Sequence, residues 1–254
     1  MSLTHEQIAA YKANGILFGM PVATEDEARR YQRLFNELEE KEGRNKSVHN
    51  RHRDLEFVWE LASHPATLDC IEALIGPDIL LLDTQFFCKH GPDPKFVAWH
   101  QDITYWELNP GTAITAWYAI DDSDRGNGCM RVIPGTHSGG IREHGKSAQP
   151  TNMLSVNQEV ALGPGEERGA VDIVLKSGQI SIHDGAVIHG SQANLSTRRR
   201  CGLTVRYIPT SVKPAGADPC KAFLVRGQNR QQNFKEQPHP FLRASATICG
   251  SHKE

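Results

Sequence analysis

The chain has 254 residues, of which 39% are hydrophobic, and its formal net charge is −2 at pH 7. This length is sufficient for one sizeable hydrophobic core, and the near-neutral charge excludes the strong electrostatic attraction that nucleic-acid binding uses. No apolar run approaches the length of about 18 residues that a membrane-spanning helix needs. We therefore expect neither a nucleic acid nor a membrane as a partner, and the sequence indicates no oligomeric state.

The first residues and the cysteines bear on the cellular compartment. Residues 1–7 lack the basic and apolar regions of a secretory signal. The six cysteines form no Cys-x-x-Cys pair, which favours reduced thiols over a disulfide framework. We expect a cytoplasmic location.

Three helices are predicted before residue 76. The patterns Thr4-x-x-Gln7 and Thr24-x-x-Glu27 are typical of capping boxes, and they predict one helix ending at residue 15 and a second extending to about residue 42. A third helix is predicted over residues 65–76, because it starts with a proline and its apolar residues recur on one face. The N-terminal segment is therefore expected to be helical.

From Ile79 onward the hydrophobic pattern alternates with a period of two, which is typical of strands. The predicted strands cover residues 79–89, 97–106, 113–121, 129–134, 171–175, 179–184 and 201–208. Many short strands after a helical segment predict a mainly β fold with flanking helices, whose core is a double-stranded β-helix of the jelly-roll, cupin-like type.

We expect a single domain over residues 1–254. Its parts are a helical N-terminal buttress (1–76), the β-helix core (77–209) and a C-terminal segment (210–254). The segment from residue 136 to about 169 is longer than a structural connection needs, which is typical of a lid.

A metal-binding pattern stands out within the predicted strands. His100 and Asp102 are two residues apart on a segment predicted to be extended, so their side chains point to the same side. With the distant His189 they can occupy three corners of an octahedron. Two histidines and one carboxylate in this arrangement are the facial triad that holds non-haem Fe(II) and leaves positions open for substrate and oxygen.

Arg200 and Ser191 follow the second histidine. The planar guanidinium fork of arginine pairs bidentately with carboxylates, so an arginine beside a hydroxyl suits the far end of a dicarboxylate. Iron at one end and arginine at the other suit 2-oxoglutarate. The alternatives are a solvated basic turn for the run 198–200 and a simple turn hydroxyl for Ser191.

These residues and their flanks resemble the phytanoyl-CoA dioxygenase family of Fe(II)/2-oxoglutarate-dependent oxygenases. The matching stretches occur in the family's order over about half of the chain, at residues 99–106, 115–122, 127–137 and 189–191, with Asn194-x-Ser196 and Arg200. The resemblance implies Fe(II) and O2 as reactants with 2-oxoglutarate, and oxidation of an unactivated C–H bond with release of succinate and CO2.

The resemblance also implies roles for individual residues. It implies that the metal ligands are His100, Asp102 and His189, and that the co-substrate contacts are Arg200, Ser191, Trp117 and Lys46. Trp117 is otherwise a core residue, and Lys46 a surface lysine. Related halogenases have a small residue at the position of Asp102, so an aspartate there favours hydroxylation, with desaturation, epimerisation and ring formation left open.

The substrate is a small molecule of unspecified class, and specialised metabolism is its expected setting. Candidate substrate contacts are Gln85, which shares a strand face with Asp83 and Phe87, and the pair Tyr105 and Trp106; the alternatives are a solvent-facing strand and packing under the barrel rim. His137 and His183 are expected to be structural, because the triad is complete without them.

Two other functions remain open at this point. One is a Zn-dependent hydrolase or isomerase on the same three ligands, which has no need of Arg200 and Ser191. The other is a non-catalytic ligand-binding barrel, which has no need of three metal ligands.

Overall fold

The computed structural model describes residues 2–44, 47–154, 156–215 and 221–242. It contains four α-helices within these residues: α1 His5–Asn14, α2 Glu25–Glu42, α3 Glu56–Ala62 and α4 Pro65–Ile75. Both predicted capping boxes form, since each N-cap threonine hydroxyl accepts a backbone N–H three residues on and its own N–H is bound in return. The first two predicted helices thus begin directly after their N-cap threonines, Thr4 and Thr24.

Sixteen strands within the same described residues interleave with the helices. They are β1 Ile16–Pro21, β2 Ser47–His49, β3 Ile79–Lys89, β4 Val97–His100, β5 Leu108–Asn109, β6 Ile114–Ala119, β7 Met130–Ile133, β8 His144–Lys146, β9 Gln158–Val160, β10 Val171–Ile173, β11 Gln179–Asp184, β12 Ile188–Ser191, β13 Arg200–Pro209, β14 Lys213–Pro214, β15 Lys221–Arg226 and β16 Lys235–Glu236.

Two sheets form the core. The larger has the order β1-β11-β6-β13-β3-β15-β16, with β2 added beside β3, and the smaller has the order β10-β7-β12-β4. Residues of both sheets meet in one apolar cluster that includes Trp117, Ala119, Met130 and Val132. The predicted fold class, mainly β with a jelly-roll core and flanking helices, is confirmed.

The strands of the larger sheet divide their side chains between two faces. On β13, the residues Cys201, Leu203 and Val205 belong to the cluster that packs under the helices, whereas Thr204 and Arg206 line a cavity on the other face. This is the period-two alternation of a strand. The sheet therefore buries apolar residues against the helices and turns polar residues toward the smaller sheet.

The structure corrects three predictions. The predicted strand 97–106 ends at His100, because residues 102–105 form a 3-10 turn. The N-terminal segment is not purely helical, since β1 pairs with β11 and β2 pairs with β3. Helix α3 was not predicted; it has only seven residues, about two turns, in which a helical period is hard to recognise.

The predicted lid segment carries short elements of its own. Between residues 136 and 169 lie two 3-10 turns and the hairpin of β8 and β9. Leu154 and Val156 of this segment reach the cavity between the sheets. Within the described residues, no helix combines the length and the apolar character that crossing a bilayer requires.

Candidate active site

The pairing of β4 with β12 brings the two predicted histidine ligands together. His100 and His189 are direct partners across this antiparallel pair, and their ring centroids lie 4.1 Å apart. Directly opposed residues of antiparallel strands project to the same face. Both rings therefore point into the cavity between the sheets.

Asp102 joins them from the start of a 3-10 turn. Gln101, between His100 and Asp102, is extended, and its buried side chain donates to the carbonyls of Gly140 and Ala186 at 3.0 and 2.6 Å. This anchor keeps Asp102 on the side of His100 although the strand has ended. The predicted same-side geometry is present, with a turn in place of a continuous strand.

The ligand atoms converge on one point. Asp102 Oδ1 lies 3.3 Å from His100 Nε2 and 3.8 Å from His189 Nε2, and the three side chains offer donor atoms within 4.8 Å of one another. Asp102 Oδ2 instead accepts a 2.9 Å hydrogen bond from the Thr115 hydroxyl. Oδ2 is thus hydrogen-bonded to Thr115, and Oδ1 faces the two histidines.

Backbone carbonyls fix the orientation of both imidazoles. Nδ1 of His100 lies 2.8 Å from the carbonyl oxygen of Ala98, and Nδ1 of His189 lies 3.1 Å from that of Val187. Because a carbonyl only accepts, each Nδ1 carries the proton and each Nε2 presents a lone pair to the centre. This is the usual outer support of metal-binding histidines.

The charge states also fit a metal site. Burial and the neighbouring His100 and His183 hold the pKa of His189 well below its usual value. Burial acts to raise the pKa of Asp102, but the charge of Arg206 and the adjacent histidines outweigh it and hold this pKa well below its usual value. A neutral imidazole and an ionised carboxylate are the forms that bind a divalent cation.

The other end of the cavity carries Arg200. This arginine is 2% exposed, and its guanidinium donates to the carbonyl of Gly128 and to the Ser191 hydroxyl at 2.9 and 3.2 Å. Its Cζ lies 5.5 Å from the centroid of the Trp117 ring. Gly202 makes room for that ring, since a Cβ there would lie 1.9 Å from it.

The other two arginines of the run 198–200 point elsewhere. Arg198 pairs with Asp124 at 2.7 Å, and Arg199 pairs with Asp121 and Glu39 at 2.7 and 2.6 Å. Of the three, only Arg200 lines the cavity. The spacing argument thus selected the arginine that points inward.

The remaining wall is formed by the candidate substrate contacts. The cavity has a volume of about 300 Å³, and its lining also includes Asp83, Gln85, Phe87, Tyr105 and Trp106. These residues come from one face of β3 and from the turn after the metal-binding segment. The volume lies at the lower end of ligand pockets.

Two residues line the cavity that the sequence did not place there. His183, expected to be structural, lines the cavity with Nε2 at 3.6 Å from Asp102 Oδ2. Arg206 lies 3.7 Å from the same oxygen and pairs with Asp83 at 2.6 Å. Both alternate with apolar neighbours on their strands, a signal that places them on the inner face.

Two further sequence predictions concern His137 and Lys46. His137 hydrogen-bonds the carbonyl of Lys12 at 3.1 Å, as a structural residue does. Lys46, the predicted co-substrate contact, lies outside the described residues.

The chain is similar to known proteins in sequence and in fold. The model of the family "Phytanoyl-CoA dioxygenase (PhyH)" matches residues 5–202. The chain belongs to this family. It is 24% identical over 261 residues to the peroxisomal phytanoyl-CoA dioxygenase of Rattus norvegicus, covering 92% of this chain and 74% of that protein.

Other members extend the comparison. An L-proline trans-4-hydroxylase of Streptomyces griseoviridis is 26% identical over 204 residues, or 73% of this chain and 75% of that protein. The solved structure of a non-heme monooxygenase, ThoJ in its apo form, superposes with a TM-score of 0.77 at 27% identity over 92% of this chain and 88% of that one. The family and enzyme class predicted from the motifs are confirmed: the chain is a dioxygenase of the PhyH family that uses Fe(II), 2-oxoglutarate and O2.

Proposed function

We propose that this enzyme hydroxylates an unactivated C–H bond of a small molecule and releases succinate and CO2. The observation that carries the proposal is one cavity with two opposite ends: three metal-ligand side chains at one and Arg200 with Ser191 at the other. A dicarboxylate that reaches from a metal to an arginine fits between them. A Zn hydrolase or a simple binding barrel would not need Arg200 at the second end of the cavity.

The side chains have separate tasks in this proposal. His100, Asp102 and His189 would hold Fe(II), whose chemistry when bound is the activation of O2 at the expense of 2-oxoglutarate. Arg200 would pair with the distal carboxylate of 2-oxoglutarate through its fork of donors. Trp117 packs against that guanidinium and fixes its plane.

The buried setting excludes water from the reacting centre. His100, Asp102 and His189 are each 6% exposed or less, and Tyr105 and Trp106 stand beside them on the wall. Exclusion of water protects reactive species and strengthens each charge-assisted contact inside the cavity. The substrate would enter on this side, next to Gln85.

The small cavity limits the substrate. The co-substrate and the reacting part of the substrate must share about 300 Å³. The similarity to an L-proline trans-4-hydroxylase supports the choice of free amino acids as the first compounds to test, followed by other small polar molecules.

Two measurements test the proposal. Anaerobic addition of Fe(II) and 2-oxoglutarate should give a weak visible charge-transfer band, and addition of O2 with a compound panel should release succinate with a product 16 mass units heavier. His189→Ala serves as the control and should show neither. Turnover with Zn(II) alone, without succinate, would instead indicate a hydrolase or isomerase.

Asp102 provides a second test of the hydroxylation outcome. If its carboxylate occupies a metal position, no halide can bind there, and the native enzyme in high chloride should give only oxygenated or oxidised products. Asp102→Gly should lose hydroxylation. A chlorinated product from the native protein, detected by mass spectrometry, would show that Asp102 is not a ligand.

A further inference from the structure

Lys89 is a fully buried lysine at the end of β3, directly opposite Arg200 of β13. Opposed residues of antiparallel strands have Cβ atoms about 5 Å apart on the same face, and like charges there destabilise a sheet. Among the described residues, no carboxylate lies within 4.0 Å of either side chain. The pair must therefore be compensated in another way.

Oxygen acceptors shared by the two side chains provide part of this compensation. Lys89 Nζ donates to Ser191 Oγ at 2.7 Å, to the carbonyl of Gln192 through a short contact, and to the carbonyl of Gly128 at 3.5 Å. Arg200 donates to the same Gly128 carbonyl at 2.9 Å and to the same Ser191 Oγ at 3.2 Å. Ser191 thus lies between Lys89 Nζ and the Arg200 guanidinium.

The hydrogen bonds that Ser191 accepts determine where its own proton points. A hydroxyl has two acceptor lone pairs and one donor hydrogen. Lys89 and Arg200 occupy both lone pairs, and the hydroxyl hydrogen has no acceptor among the described residues. Because Ser191 lines the cavity, its O–H is directed toward the space beside Arg200.

Lys89 itself does not line the cavity, so any hydrogen bonding that links it to a ligand there must pass through another group. We propose that Lys89 is a positioning residue that orients the Ser191 hydroxyl, so that Ser191 and Arg200 together donate to the distal carboxylate of 2-oxoglutarate. The inference rests on the proposed function, since it needs that carboxylate beside Arg200.

The electrostatics of this end of the cavity agree with this geometry. Burial, and then the charge of Arg200, lower the pKa of Lys89 to about 5. An anion bound close by favours the charged form of a lysine. A carboxylate in this end of the cavity would therefore complete an arrangement that lacks its negative partner.

The test is a double-mutant cycle on binding. Lys89→Met keeps the apolar stem and removes the donor, and Ser191→Ala removes the hydroxyl. We expect each to raise the Kd of 2-oxoglutarate by about tenfold, and the double variant to raise it by about tenfold as well, because the two residues act as one unit. The Kd is measured by anaerobic titration of the Fe(II)-loaded protein, and the surface variant Lys176→Met should leave it unchanged.

A second ligand separates positioning from a general structural effect. 2-Oxobutyrate lacks the distal carboxylate, so Lys89→Met should leave its Kd within about twofold. If Lys89→Met proves too unstable to titrate, Lys89→Gln, which keeps an N–H donor, should bind 2-oxoglutarate nearly as the native protein does. Any of four results would overturn the inference. The first two are an equal loss of binding for both ligands in Lys89→Met and an unchanged Kd for 2-oxoglutarate in that variant. The other two are a Lys89→Gln variant that binds about tenfold more weakly, and independent effects of Lys89→Met and Ser191→Ala that multiply to about 100-fold.

Arg200→Ala distinguishes a wrong co-substrate site from a wrong role for Lys89. If it leaves the Kd of 2-oxoglutarate unchanged, the co-substrate site itself is misplaced. If it weakens binding while Lys89→Met does not, only the role of Lys89 is wrong.

Discussion

The two ends of the cavity differ in how their basic side chains are paired with carboxylates. At one end the side chains of Arg200 and Lys89 are buried with no carboxylate of the described residues within 4.0 Å. At the other end Arg206 is balanced by Asp83 at 2.6 Å and by Asp102 at 3.7 Å. The first end has no carboxylate partner of its own at this distance, whereas at the second end two carboxylates face one arginine.

The ends also differ in the elements that build them. Arg200 and Ser191 lie on strands of the two sheets. The rest of the lining includes Tyr105 from a 3-10 turn and Val156 from the long connecting segment, beside residues of β3. Regular strands preserve a site for a common co-substrate, and irregular segments are where specificity varies between relatives. The difference explains why the sequence indicates the co-substrate more readily than the substrate.

The largest expected effect comes from the three metal ligands, which form the end of the cavity away from Arg200. His189→Ala or His100→Ala should weaken Fe(II) binding by more than about 100-fold, because even loss of an outer partner costs 10- to 100-fold. Iron per protein after anaerobic dialysis measures this, with circular dichroism to confirm folding. The control is His137→Ala, which lies outside the triad. A variant that keeps full iron and full turnover would show that its histidine is not a ligand.

Arg200→Ala removes only the anion-binding end. Loss of a buried charge-assisted pair costs roughly 2–5 kcal/mol, so the KM for 2-oxoglutarate should rise by about one to three orders of magnitude. The matched control is Arg198→Ala, an exposed ion pair with Asp124, which should change the KM by less than about twofold. An unchanged KM in Arg200→Ala would transfer the role to another arginine and remove the contrast between the ends.

Much of this arrangement could be predicted from the sequence. Ligand residue types, the spacing of His100 and Asp102, and the position of Arg200 after His189 are local patterns, and each survives in the structure as a spatial grouping. The period-two pattern of β3 also placed Gln85 on the face that lines the cavity. Local periodicity is sufficient for such inferences because a strand has only two faces.

The rest depended on pairing that no local pattern encodes. The register of β13 against β3 puts Lys89 opposite Arg200, although the two residues are 111 positions apart in the sequence. The end of β4 at His100 was equally hidden, since residues 101–106 fit a strand pattern while tertiary contacts impose a turn. Long-range register and turn formation are set by packing, which a single sequence does not display.

Gln85→Leu should affect the opposite end alone. Gln85 is 8% exposed and lines the cavity, and a hydrogen bond to substrate is worth about 0.5–1.5 kcal/mol. The KM for the primary substrate identified in the panel should rise by about two- to tenfold, while the KM for 2-oxoglutarate stays constant. Steady-state kinetics with each reactant varied in turn measures both. A change in the 2-oxoglutarate KM alone would place Gln85 at the wrong end.

The smallest expected effect is a pH dependence confined to the anion-binding end. Lys89 faces Arg200 on β13, Ser191 on β12, and Cys129 and Asp93 in the adjoining segments, and burial followed by Arg200 lowers its pKa to about 5. A bound carboxylate favours the charged lysine and raises this pKa, by about one to one and a half pH units for a nearby charge. Binding then takes up a proton, so affinity is greatest below the free pKa and falls as pH rises toward the bound one.

For that range of shift, the Kd of 2-oxoglutarate should increase by about two- to fourfold between about pH 6 and pH 7.5. Because other groups of the site also titrate, the decisive comparison is with Lys89→Met, which should lose this part of the pH dependence and keep the rest. A pH profile that is the same in both proteins would show that Lys89 does not change its protonation on binding. The Kd of 2-oxobutyrate should show no such component in either protein, since without a distal carboxylate the ligand adds no negative charge beside the lysine.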